Sequence, residues 1–98
     1  MAQGESHIVN GINDYSVFLV ESAFTKATFL AKRDGSSING GGVYNNENGE
    51  TKVYTMSFYG SISDETLTLT FASRVVHNSS SNHSINYPDF ITAIYGVI

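Results

Sequence analysis

Residues 60–82, GSISDETLTLTFASRVVHNSSSN, decide how this chain folds. Leu67, Leu69 and Phe71 alternate with Thr66, Thr68 and Thr70, which places an apolar row on one face of an extended segment and a hydroxyl row on the other. Ser63-Asp64 supply turn chemistry before the segment, and Asn78-Ser79-Ser80-Ser81-Asn82 supply a polar loop after it. The pattern is that of a strand in a half-buried sheet, with Leu67, Leu69 and Phe71 in the core.

The residues upstream extend the pattern. Along 52–59, Tyr54, Met56 and Phe58 share one face and Val53, Thr55, Ser57 and Tyr59 the other. This strand is expected to run antiparallel to 66–73 through a connection at 60–65, with Tyr54, Met56, Phe58, Leu67, Leu69 and Phe71 in one core. Asn48-Gly49 is the strongest hairpin signal and would join 52–59 to a strand at Val43-Tyr44. Arg33-Asp34-Gly35-Ser36 reads as a second tight turn, since Asp-Gly accepts the positive φ that a two-residue hairpin loop requires. Between the two turns, 36–48 reads as the least structured part of the chain. Gly40-Gly41-Gly42 loses the most backbone entropy on ordering, so the triplet reads as a flexible rim, with a close backbone approach as the alternative.

Ile8-Val9 and residues 15–21 form further strands, the second apolar on both faces, which suits the middle of a layered fold. Ala27, Phe29 and Ala31 alternate with Thr28 and Leu30 in 26–32. A helix over 20–32 competes through the spacing of Ala23, Ala27, Leu30 and Ala31, and the β-branched and aromatic content favours the strand. A polar loop is expected over 77–88 and a last strand over 90–97, with Pro88 just before it, where no ladder bond is lost. Six to eight short strands and no amphipathic helix predict a single all-β domain over 1–98, an antiparallel β-sandwich or small barrel.

Composition removes several function classes. Charged residues are 14% of the chain and the net charge is −4, so solubility rests on neutral Ser, Thr, Asn and Gly. Lys26, Lys32, Arg33, Lys52 and Arg74 are scattered and make no basic stripe for phosphates, which argues against nucleic acid. There is no cysteine, hence no disulfide framework or thiol nucleophile. The start, MAQGESHIVNGI, lacks a basic then apolar leader pattern, so the chain is expected to be cytoplasmic at synthesis or exported without a signal peptide. No apolar run approaches the length of about 20 residues that a spanning helix needs. Asn78-Ser79-Ser80 and Asn82-His83-Ser84 fit the glycosylation triplet and are expected to be unmodified without a leader.

Catalytic chemistry finds little to stand on. His77, His83 and Asp89 lie on or beside one loop, yet their spacing matches no metal site, and solvated histidines are the expected reading. Asp14, Asp34, Asp64 and Asp89 each sit at a turn, where a carboxylate bonds nearby backbone. No nucleophile-elbow motif is present, and Glu47 and Glu50 flank a solvated hairpin tip. A non-enzymatic protein without cofactor or metal is the expectation.

Recognition is what remains. Tyr offers a flat apolar face with a hydroxyl at low ordering cost, and Asn offers paired donor and acceptor groups suited to sugars and polar headgroups. Of the six Tyr, Tyr44, Tyr59, Tyr87 and Tyr95 are candidates for contact, whereas Tyr15 and Tyr54 lie on apolar faces and read as core. The expected ligand-binding set is Tyr44 and Asn46 on the Gly-rich rim with His77, Asn78, Asn82 and Tyr87 on the polar loop.

Ser63-Asp64, Leu67, Phe71, Asn78 and Ser81-Asn82 resemble a segment of the actinoporin-like β-sandwich superfamily, which includes sea-anemone pore-formers and fungal fruit-body lectins. The resemblance covers about a fifth of the chain and implies a sandwich whose loops at one end bind a lipid headgroup or a glycan. Ala72, Ser73, Arg74 and Val75 stand where the pore-formers carry the Ser-Val-Pro-Tyr run of a phosphocholine pocket, so that pocket is not implied here. The short, irregular residues 1–12 and the absence of Trp likewise depart from a pore-former. A lectin-like module binding a glycan or polar lipid headgroup is therefore the first expectation. A self-assembling structural protein is the second and a membrane-damaging protein the third. A homodimer or higher oligomer is expected, because few lysines blunt the sheet edges.

Overall fold

The computed structural model describes residues 1–23, 26–46, 52–78 and 83–98, with backbone alone at 45, 46, 52, 78 and 83–88. The chain is all-β. Its strands are β1 Ser6–Ile8, β2 Val17–Ser22, β3 Thr28–Asp34, β4 Ser37–Asn46, β5 Lys52–Ser63, β6 Thr66–Asn78, β7 His83–Pro88 and β8 Ile91–Gly96, with one short 3-10 turn at Ile12–Asp14. They form a single eight-stranded antiparallel sheet in the order β1-β6-β5-β4-β3-β2-β8, and β7 also pairs with β6. The far edge of β6 is shared end to end, since β1 lies against Leu67 and its neighbours while β7 lies against Ser73–Asn78.

The sheet curls into a half-barrel, so the small-barrel form of the expected architecture is the one adopted. Residues 1–5 cross from one end of it to the other. Met1 N donates to Ile91 O at 2.6 Å and Ile91 N returns a bond to Met1 O at 2.9 Å, while Gly4 N donates to Leu69 O at 2.7 Å. Inside the curl lie Phe18 and Val20 from β2, Phe29 and Ala31 from β3, Ile38 from β4, Met56, Phe58 and Ile62 from β5, Leu67, Leu69 and Ala72 from β6, and Ile91 from β8, with Ile12 of the 3-10 turn among them. Each fully buried aliphatic or aromatic side chain contributes about 1.5 to 3 kcal/mol through lost water contact. The expected alternation holds along β3, where Phe29 and Ala31 are buried and Thr28 and Leu30 are exposed. Among the described residues of 20–32 there is no α-helix.

Four expectations change. First, 36–46 is not a rim. Gly40, Gly41 and Gly42 lie inside the ten-residue β4, paired with Phe58, Ser57 and Met56 of β5. A Cβ at Gly40 would run into Leu30 O and Ala31 Cα, one at Gly41 would lie 2.5 Å from Met56 O, and one at Gly42 would lie 2.8 Å from Phe29 Cβ. Close backbone approach, not flexibility, is the reason for the triplet. Second, β4, β5 and β6 are long strands of 10, 12 and 13 residues rather than short ones. Third, 77–88 is mostly hairpin, because β6 runs on to Asn78 and β7 returns from His83, with Asn78 opposite His83.

The fourth concerns Phe71. Tyr59 faces Phe71 but Gly60 faces Leu69, so Thr70 is an extra residue on β6. That bulge reverses the parity of everything after it, with Ala72 turned into the core at 1% exposure and Phe71 turned out at 42%. Gly60 sits at the bulge, where a Cβ would be 2.8 Å from Thr68 O. The tight turn expected at Arg33–Ser36 is present one residue later: Asp34 faces Ser37, so the two-residue loop is Gly35-Ser36, with the positive φ of 60° at Gly35. Asn46 faces Lys52 across β4 and β5, so the two strands are joined as a hairpin, whereas a loop of Asn48-Gly49 alone would put Asn46 opposite Thr51; residues 47–51 lie outside the described residues.

Candidate functional site

β3 is registered with β4 only from Ala31↔Gly40 to Asp34↔Ser37. Beyond Gly40 the ladder therefore continues as an arm of four strands, β4 through β7. At about 3.3 Å per residue, the 12 and 13 residues of β5 and β6 span about 40 Å, matching the long axis of a molecule measuring 46 × 24 × 19 Å.

Register sorts the arm into rows. The row Tyr44, Tyr54, Val76, Ile85 has the same parity as the row Gly42, Met56, Arg74, Tyr87 nearer the core and the row Asn46, Lys52, Asn78, His83 nearer the tip. This is the parity of buried Met56 and Phe58, so the face that forms the core of the half-barrel continues onto the arm with no further layer over it among the described residues. The Tyr44 and Tyr54 rings sit across β4 and β5 with centroids 6.0 Å apart and planes at 48°. Tyr44 is 37% exposed and Tyr54 half-buried. Such tilted aromatic pairs in the range of about 4.5 to 7 Å are stabilising.

The opposite parity holds the rows Val43, Thr55, Val75, Asn86 and Asn45, Val53, His77, Ser84. His77 belongs here, with its Nε2 3.3 Å from Thr55 Oγ1. The expected contact set is thus divided. Tyr44, Asn46, Asn78 and Tyr87 come to three successive rows of one parity, all on strands instead of loops. His77 is on the reverse face, and Asn82 lies outside the described residues. Tyr59 and Tyr95 are exposed on other parts of the sheet, Tyr59 opposite Phe71 and Tyr95 on β8. Tyr54, read from the sequence as core, is a member of the site. The signal that would have found it is the hairpin register, which puts it directly across from Tyr44.

Asp89, expected at a turn with its carboxylate on nearby backbone, does take such a bond and is also buried. Its carboxylate accepts from Ser22 Oγ at 2.8 and 3.0 Å and from Phe90 N at 2.8 Å. Ser22 is itself fully buried, so this Ser–Asp pair offers a substrate no access. Among the described residues no three His, Cys, Asp or Glu side chains come together as a metal site would need. No helix among the described residues is long and apolar enough to cross a membrane. Glu5 is held below the usual carboxylate range by its hydrogen bond with His7 and by a second from Ala2 backbone. No family model, no curated protein and no solved structure matches this chain.

Proposed function

We propose that this chain is a non-enzymatic recognition module that holds a glycan or a polar lipid headgroup on the core-parity face of its β4–β7 arm, and that it works as an oligomer. The observation that carries the reading is the Tyr44–Tyr54 pair, partly exposed on a sheet face that has left the core, between register positions of Asn46 and Asn78 on one side and Tyr87 on the other. Ring faces stack on the apolar faces of sugars or on choline-like groups, and amides bond vicinal hydroxyls or phosphodiester oxygens. The actinoporin-like resemblance is in keeping with this chemistry, and the single-sheet arm is its own feature. Lys52 and Arg74 add two cations without making a basic stripe, so binding should fall little as salt rises.

The reading is tested on a glycan array and on vesicles of phosphatidylcholine and phosphatidylserine, with the parent and the Tyr44→Ala, Tyr54→Ala and Tyr87→Ala variants. Binding by the parent that each variant weakens about tenfold or more, at unchanged circular dichroism, is the expected result. A parent that retains no glycan and no vesicle would overturn the reading.

A further inference from the structure

Among the described residues, the two ends of the sheet are protected unequally. At the β6 end, β1 is three residues long and is flanked by the Glu5 carboxylate, which lies 3.1 Å from His7 Nε2, while β7 ends in Pro88. Short length, charge and proline are the usual means of keeping a strand edge from pairing with another chain. At the other end β8 pairs with β2 from Phe18↔Gly96 to Ser22↔Ile91, and among the described residues its outer edge is covered at Ile91, whose N–H and C=O both bond Met1. Beyond Ile91, over 92–96, every second residue turns its N–H and C=O away from the sheet. Residues 90–98, FITAIYGVI, hold no charged residue and no proline. Phe90, Tyr95, Val97 and Ile98 are all exposed, Ile98 at 73%.

We propose that β8 pairs antiparallel with β8 of a second copy across a two-fold axis, making one continuous sheet through both half-barrels. This rests on the oligomeric reading above and names its interface. A second copy is the occupant because a strand that lies antiparallel to itself meets its own sequence, and a strand without charge does so without repulsion even though each chain carries a net −4. The backbone bonds give a ladder only about five residues long, and Phe90, Tyr95, Val97 and Ile98 add the apolar area such a short ladder lacks. Ile94, which packs only partly against the core, gains cover from its counterpart. The Tyr15 ring lies over Gly96, closing the outer end of the strand in each copy.

Analytical ultracentrifugation of the full chain from roughly 1 μM to 1 mM, for the parent, Tyr95→Lys and Phe71→Lys, tests the pairing. Tyr95→Lys sets two cations near the axis, whereas Phe71→Lys changes an exposed residue on β6 far along the sheet order. The expected result is a parent dimer, weakened on the order of tenfold or more by Tyr95→Lys and unchanged by Phe71→Lys. Hydrogen exchange of the parent at the two ends of the concentration range covers the case of a variant that fails to fold. Amides in 92–96 should slow at high concentration. A parent dimer with no added protection in 92–96 would overturn the β8 interface while leaving the oligomer standing. A parent that stays monomeric throughout would overturn both.

Discussion

Ser22 and Asp89, 67 residues apart, join the β2 and β8 end of the sheet by a buried hydroxyl–carboxylate contact. The carboxylate's other bond comes from Phe90 N, the amide next to it. Ser22→Ala removes the long-range donor and leaves a buried acceptor short, so it should cost about 1 to 3 kcal/mol in urea denaturation. Loss of less than about 0.5 kcal/mol would mean that water reaches Asp89. On β6 the bulge sets a sharper contrast between neighbours of similar chemistry. Leu69→Ala empties a fully buried site and should cost about 2 to 5 kcal/mol, whereas Phe71→Ala, on the outer face, should cost less than about 1. Equal costs would place Phe71 in the core and contradict the bulge. Glu5 carries a pH-dependent contact at the surface. Its depressed pKa makes a small, solvent-screened contribution that is present at neutral pH and lost as the pH falls through its folded value.

Among the elements, β4 is the one whose integrity most depends on side-chain absence. Gly41→Val places a branched side chain against Met56 O, and it should break the β4–β5 ladder from Gly40 outward. Amides of 41–46 and 53–57 would then exchange faster than those of β2 and β3, and equal protection across the sheet would refute the close approach. This strand also marks where sequence reading stopped. The alternation of Leu67 and Leu69 with threonines, and of Met56 and Phe58 with Ser57, was legible because those residues differ sharply in polarity across a period of two. Gly40–Gly42 has no side chain to show a period, and its packing partners, Leu30, Ala31 and Phe29, belong to another strand. Thr70 was unreadable for a related reason. A bulge depends on which residue faces which across the ladder, and Thr66 to Phe71 alternates without a break. Within the site, Tyr44, Asn46, Asn78 and Tyr87 were legible as residue types. That His77 lies on the reverse face and Tyr54 beside Tyr44 followed only from register.

For the molecule as a whole, one curled sheet does two jobs. One end closes a core around Phe18, Ile38, Leu67 and Leu69, and the other runs on as an arm that keeps the same face without the same cover. Neutral Tyr and Asn chemistry there predicts an affinity that changes only slightly between low and physiological salt, where capture of phosphates by several basic residues would fall by orders of magnitude. A steep salt dependence in vesicle binding would assign recognition to charge instead of to the aromatic pair. The most direct test of the proposed ligand face is an amide chemical-shift titration of the isotope-labelled chain with the strongest array or vesicle-headgroup ligand. Shifts concentrated at 42–46, 52–56, 74–78 and 83–88, and abolished by Tyr44→Ala with Tyr54→Ala, are the predicted result. Shifts confined to β1, β2 and β3, or shifts on the arm that persist in the double variant, would contradict it.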